Sequence, residues 1–355
     1  MPDAESSDDG ALVKRWIRTQ AAALALEKGL EPAERDAAMA SAVVTFIFRA
    51  MFLEGNSTAT AGETAEAIRV GFEKGGVAQR KAFRMFEGLR FLAQQRDDCR
   101  VPQKASGSPT RVTAAVTPEV VKELHEVALK GLVDAPGAFR RRPAFPRGCR
   151  HFYASPRCIE QGLESCTDVL IDEQVRAEED NCQRREDSEF ALGLVRAAAT
   201  FFVDFLQVHP FSNGNGRCAR LLVAHIMSDV SELPALVWPR DGERSTYIDA
   251  LVRAREGSDE LQRYETERDR AWLELQLDQT RRDTEAIRRR YQHAAREIER
   301  IEDHRAEAIG EVAAMVARGM LEMWSEYHCA LLRLLRQKSL SSPTTMRPCH
   351  APLIV

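Results

Sequence analysis

Residues 209 to 217 read HPFSNGNGR, a histidine followed by two Asn-Gly steps and an arginine, with a second arginine at position 220. Imidazole titrates near neutrality, so His209 can take a proton from a reacting hydroxyl. Gly214 and Gly216 carry no Cβ, which lets the backbone adopt positive φ and press close to a ligand. Helical patterns flank the loop. A helix that starts here offers unpaired backbone N–H groups and the positive end of its dipole, and successive N–H groups of that kind hold phosphate. Arg217 and Arg220 share one face of the first turn and add two forked donors that suit phosphate. An ordinary turn with solvated arginines would explain the Asn-Gly steps alone. The joint pattern HPFxxGNGRxxR instead gives every position a part in a phosphate site with a general base beside it.

The elements that must position this loop are helices. SEFALGLVRAAATFFVDFLQV (188–208) is apolar on nearly all sides and reads as a central buried helix ending on His209. CARLLVAHIMSDV (218–230) resumes helix directly after the loop, and ERSTYIDALVRAREG (243–257) forms another, stopped by Gly257. Upstream, 12–30 and 34–53 are helical, with Pro32 suited to a helix start and Gly55-Asn56 to a stop. Residues 62–76 and 78–95 are also helical, 101–112 has loop composition, and TPEVVKELHEVALKGLV (117–133) is a helix capped by Thr117. The glycines, prolines and alternating apolar residues of 135–148 predict a short irregular β-hairpin. From about 259 the composition turns to Arg and Glu runs. Ile287, Tyr291, Ala294, Ile298 and Ile301 step by four and three, near a heptad seam. That pattern fits a charged helix packing on its own domain and equally a homodimerising coiled coil. Residues 338–355 read as a disordered tail.

With 355 residues, 44% of them apolar and 29% charged, the chain has a globular composition and length for two or three domains. A net charge of −4 argues against nucleic acid and anionic membrane as partners. The acidic N-terminus lacks the character of a signal peptide, and no uncharged stretch of ~18 residues for a membrane span stands out, so the cytoplasm is the expected location. The eight cysteines are scattered without a CxxC and are expected as free thiols. His328-Cys329 and Cys349-His350 make a poor zinc set, because adjacent residues rarely aim at one ion.

HPFSNGNGRCAR resembles the signature of Fic domains, helical enzymes that mostly transfer AMP from ATP to a protein hydroxyl. The flanking stretches TPEVVKELHEVALKGL, PGAFR and ERSTYIDALVRAREG extend the resemblance over about residues 35–258. It implies an all-α, Fic-type bundle with a short β-hairpin flap at 137–148, followed by a charged helical extension at 259–337 outside the domain, with 1–34 as a leader and helix. His209 would deprotonate the target hydroxyl and Phe211 would anchor the loop. Gly214, Asn215, Gly216 and Arg217 would hold the α- and β-phosphates of ATP, with Arg220 on the γ-phosphate. Phe139, Arg140, Pro143 and Phe145 of the flap would dock the target protein, a structural hairpin being the alternative. Tyr247 would line the adenine side, or simply fill the core. AMFLEGN (50–56) is similar to the inhibitory helix of self-braked members, here spanning 35–56. Glu54, Gly55 and Asn56 would form the brake, Glu54 reaching Arg220, although Ala50 stands where the family has Ser or Thr. A plain helix terminus is the other reading of Glu54-Gly55.

The family holds Mg²⁺ (or Mn²⁺) through an Asp or Glu at the position of Asn213. Asn keeps a neutral carbonyl oxygen and loses the charge that hard cations favour. Asp204 lies in the preceding helix and Asp229 near the far end of the following one, and the loop itself holds no acidic residue. Two functions follow. One is a protein adenylyltransferase, self-inhibited by Glu54 and able in some members also to remove AMP. The other is a weakened nucleotide-binding or scaffolding pseudoenzyme.

Overall fold

Helix boundaries in the computed structural model fall where capping chemistry places them, and the structure describes residues 9–55, 57–99, 116–144, 153–184, 187–239, 241–255, 258–277 and 284–341. α1 (Asp9–Glu27) leads to α2 (Pro32–Leu53), where Pro32 takes the first position and the Glu34 carboxylate accepts from the Glu31 N–H at 2.8 Å. α2 ends at Glu54-Gly55, with Gly55 left-handed at φ 69°. α3 (Ala61–Val70) opens on the Thr60 hydroxyl, which accepts from the Glu63 N–H at 3.1 Å, and α4 (Val77–Cys99) follows. α5 (Pro118–Leu129) is capped as expected by Thr117 but ends four residues earlier than the sequence pattern indicates. α6 (Ile159–Arg184), α7 (Asp187–Val208), α8 (Asn215–Ile226), α9 (Arg244–Arg253), α10 (Ser258–Leu277) and α11 (Thr284–Ser341) complete the chain order.

The fold is all-α, and no strand forms among the described residues. The described part of the expected hairpin, 137–144, is irregular backbone. The Tyr153 N–H donates to the Ala144 carbonyl at 3.2 Å, which brings the two described legs together, while 145–148, Phe145 included, lie outside the described residues. α7 is the hub, with Phe190, Leu194, Phe202 and Phe205 at or near zero exposure and α1, α6, α8 and α11 packed around it. α2 and α7 are long and apolar enough to cross a membrane by length and composition, contrary to the sequence expectation; the apolar window of α7 is 67% buried within the protein. A helix covered on every side by protein needs the same composition as one covered by lipid.

α11 departs most from its charged reading. Val312, Val316, Met320, Met323, Trp324, Tyr327 and Leu331 are buried in the same core as α7. Trp324 apart, they step by three and four residues, and the surrounding Arg and Glu mask them in the average composition. At Gly319 a Cβ would stand 1.6 Å from the Leu236 carbonyl oxygen, so a side chain there would drive the segment after α8 off the helix. That segment is laced to α11 by Trp238 N–H donating to the Met315 carbonyl (3.0 Å) and Trp324 Nε1–H to Ser231 Oγ (3.0 Å). At the other end α10 folds back on α11, and Ile287, Ala294, Ile298 and Ile301 of the expected seam are buried within the single chain. α11 continues to Ser341, past the expected end at 337; residues 342–355 lie outside the described residues.

Candidate active site

The loop after α7 is held by its own asparagine. Asn215 Nδ2 donates to the Phe211 carbonyl at 2.7 Å, and the Phe211 N–H donates back to Asn215 Oδ1 at 2.9 Å. Phe211 itself is fully buried, as an anchor should be. The Asn215 side chain is thus spent on the loop, so its backbone N–H is what it can offer a ligand. α8 begins at Asn215, three residues before the sequence pattern indicates, so Asn215, Gly216 and Arg217 form its first turn. Gly214 caps it in the left-handed conformation at φ 83°, and a Cβ there would meet the Leu129 side chain at 2.9 Å.

Two residues outside the motif brace this loop. His125 of α5 stacks on Phe211 with ring centroids 3.7 Å apart. Its Nδ1 accepts from the Gly137 N–H (2.8 Å), which sets the tautomer so that Nε2–H donates to the Asn213 carbonyl (3.0 Å). Burial pushes His125 down to about 4, so it stays neutral. Arg140, expected on the docking flap, is instead buried. Its guanidinium donates to the carbonyls of His209 (2.7 Å), Arg142 (3.1 Å), Val208 (3.2 Å) and Ala154, and its N–H to that of Pro210 (2.9 Å). A fork of five donors suits the unpaired carbonyls at the end of α7, and this outweighs exposure as a docking side chain. Phe139 is half-buried 5.5 Å from Phe211, and Pro143 is exposed.

His209 sits at φ 49°, a left-handed conformation uncommon outside glycine. Its ring lies flat on Tyr153, centroids 3.7 Å apart, and Tyr153 is backed by Arg255. Burial lowers its pKa to about 4; the Leu206 carbonyl opposes the shift, although Nδ1 makes no well-formed hydrogen bond.

Glu54 reaches both arginines of the motif. Its Oε2 accepts from Arg217 at 3.2 Å and its Oε1 from Arg220, whereas the sequence pairs it with Arg220 alone. Burial would raise the Glu54 pKa, but Arg220 and Arg217 outweigh it and hold the carboxyl below its ordinary value. Arg220 is 2% exposed and also donates to the Tyr247 hydroxyl at 3.0 Å, so Tyr247 is a buried partner of that guanidinium. Arg244 of α9 donates to the Leu53 carbonyl at 2.8 Å and ties down the end of α2. Asn56 lies outside the described residues.

These groups line one cavity of about 380 Å³. Lys81 of α4 joins it, and sequence reasoning misses this residue along with His125, Arg244, Arg255 and Tyr153. Only His125 leaves a trace, as a titratable residue on the apolar face of Val121, Leu124 and Ala128. A divalent ion fits the site poorly. Among the described residues the one carboxylate lining the cavity is Glu54, already held by two guanidiniums. Asn213 Oδ1 accepts from the Gly214 N–H at 2.8 Å, and Asp204 is paired with Arg305 of α11. No group of three or more His, Cys, Asp or Glu gathers among the described residues.

An all-α bundle that sets a histidine, a glycine-rich turn and two arginines around one cavity defines a class. Residues 115–227 match the family model described as Fic/DOC family. The chemistry of that family is AMP transfer or a related nucleotidyl transfer. The chain is similar in fold to a Fic domain containing signaling protein of Bacteroides thetaiotaomicron, with a TM-score of 0.57 at 17% identity over 90% of this chain and 98% of that one. Fic-1 of C. elegans aligns at a TM-score of 0.46 and 19% identity over 82% of this chain and 71% of that chain. A curated protein, the ribonucleoside-diphosphate reductase small chain of Ostreid herpesvirus 1, is 31% identical over 113 residues, 31% of this chain. The match spans 19% of that protein's length.

Proposed function

We propose that the cavity binds a nucleotide by its phosphates at the start of α8 and transfers the nucleotidyl group to a hydroxyl of a protein, with Glu54 closing the site until a nucleotide displaces it. AMP from ATP is the form that the 209–220 motif favours. The observation that carries this reading is the capture of the Glu54 carboxylate by Arg217 and Arg220 in the cavity that His209 also lines. The two guanidiniums already hold one anion, and forked donors of this kind suit phosphate as well as carboxylate.

In the proposed step the hydroxyl gives its proton to His209 while its oxygen bonds to the α-phosphorus. The bond from that phosphorus to the bridging oxygen breaks, and pyrophosphate leaves. Burial keeps His209 neutral at pH 7, with a lone pair ready to accept the proton. Arg217, Arg220 and the first N–H groups of α8 stabilise the charge that develops on the phosphates. The target is proposed to dock along 137–144, where Arg141, Arg142 and Pro143 are exposed.

A nucleotide-binding scaffold without transfer is the second reading, favoured by Asn213 in place of an acid. Incubation of the purified chain with α-labelled ATP separates the two. Glu54→Gly should raise ATP affinity ~10-fold or more, the scale of one charge-assisted contact regained, and should raise label transfer with it. Tighter binding with no transfer would support the scaffold. Unchanged affinity would remove the brake.

A further inference from the structure

We infer that this site holds the phosphates of its nucleotide without a divalent metal, Lys81 acting as a third cationic phosphate ligand beside Arg217 and Arg220. The inference rests on the nucleotide-binding reading above. Among the described residues lining the cavity, Lys81, Arg217, Arg220, Arg244 and Arg255 oppose one carboxylate, Glu54. When Glu54 withdraws, the buried guanidiniums of Arg217 and Arg220 lose the carboxylate that pairs them, and an anion entering the cavity restores the balance.

Lys81 comes from α4, far from the motif in sequence, and is half-buried. It is close enough to feel both Arg217, which repels its charge, and Glu54, which favours it; burial and Arg217 together lower its pKa. A lysine kept there against that repulsion suits a site whose resident is an anion. The arginines have donors to spare. Nε of Arg217 and Nε of Arg220 are buried without a hydrogen-bond partner, although the two residues are 3% and 2% exposed. Buried N–H groups of this kind call for an acceptor. Mg²⁺, by contrast, usually needs one or two carboxylates beside the substrate phosphates. Asn213 has its Oδ1 engaged by Gly214, and Glu54 must leave for the phosphates to enter. A cation arriving here would meet five like charges and no vacant acid.

The test is calorimetric titration of full-length Glu54→Gly protein with ATP, in EDTA and in excess Mg²⁺. Metal-independent binding predicts dissociation constants within ~3-fold of each other in the two buffers. Lys81→Met in the same background should weaken ATP binding ~10-fold or more in EDTA, and Lys81→Arg should recover most of it, which separates a lost ligand from a damaged fold. Asn213→Asp should make binding metal-dependent, weaker in EDTA and restored by Mg²⁺. Binding that requires Mg²⁺ before Asn213 is changed would overturn the inference and leave the nucleotide reading standing. An ATP affinity in EDTA that Lys81→Met leaves unchanged would remove Lys81 from the site. Absence of ATP binding in both buffers would instead defeat the nucleotide reading itself.

Discussion

His209 is held in a backbone conformation that most side chains avoid, and the surroundings explain why it persists. Arg140 grips its carbonyl, and Tyr153 stacks on its ring. Such over-determined residues are common where a group must be aimed. Removing the ring should therefore cost chemistry and spare binding. His209→Ala is expected to lower nucleotidyl transfer by ~10²–10⁴ while ATP affinity changes little, because in the proposed step the imidazole addresses the hydroxyl and the arginines address the phosphates. The same burial sets the pH response. A base held at about 4 is already deprotonated at neutrality, so transfer should show no inflection at the ordinary imidazole value of about 6.5. Transfer rates of both proteins measured from pH 5 to 8, with ATP titrations alongside, would check this; an inflection near 6.5 that depends on His209 would contradict it.

At the scale of elements, four helices supply the loop, its brace and the carboxylate it holds. α7 delivers His209, α8 supplies the N–H groups and both arginines, α2 brings Glu54, and α5 sends His125 to brace the turn. The turn between α7 and α8 tolerates little change, because Gly214 is left-handed and faces the Leu129 side chain of α5. Gly214→Ala should destabilise the fold by ~1–3 kcal/mol from backbone strain, before the crowding against Leu129 is added. It should also move the first turn of α8 and weaken ATP binding in the Glu54→Gly background. Denaturant unfolding and calorimetry measure the two effects. A fully stable Gly214→Ala protein would mean that α5 gives way more easily than its packing indicates.

Across the described residues, three histidines are held neutral by burial, His125 and His225 fully and His209 half-buried. His125, His209 and His225 are each pushed by burial to about 4, against an unfolded value of 6.5. The unfolded chain therefore binds more protons than the folded one between those values, and stability rises with pH across that window. As pH falls through 6.5 towards 4 that stability is lost, by at most about 1.4 kcal/mol for each histidine over every pH unit crossed. Melting temperature should drop steeply between pH 6.5 and 4.5, and His225→Asn, remote from the cavity, should flatten the drop without altering ATP binding. An unchanged slope in that variant would show that His225 titrates normally.

Local chemistry makes much of this protein legible in its sequence. Capping residues, prolines and 3.6-residue periodicity depend on neighbours along the chain, so α2, α5, α7 and the stop after Glu54 can be read directly. The loop chemistry is legible for the same reason: glycines, histidine and arginines stand within twelve residues, and a helix start organises them by backbone geometry alone. The roles of Arg140 and of the charged C-terminal region cannot be read in this way. Whether a guanidinium faces a target or four backbone carbonyls depends on where the end of α7 lies, some seventy residues on. Whether α11 is an appendage or part of the core depends on α1 and α7 covering its thin apolar stripe. Lys81 and Arg244 reach the cavity only because α4 and α9 pack around α8 and the end of α2. Each is decided by the packing of distant helices, where burial and charge pairing choose among side chains that look alike in the sequence.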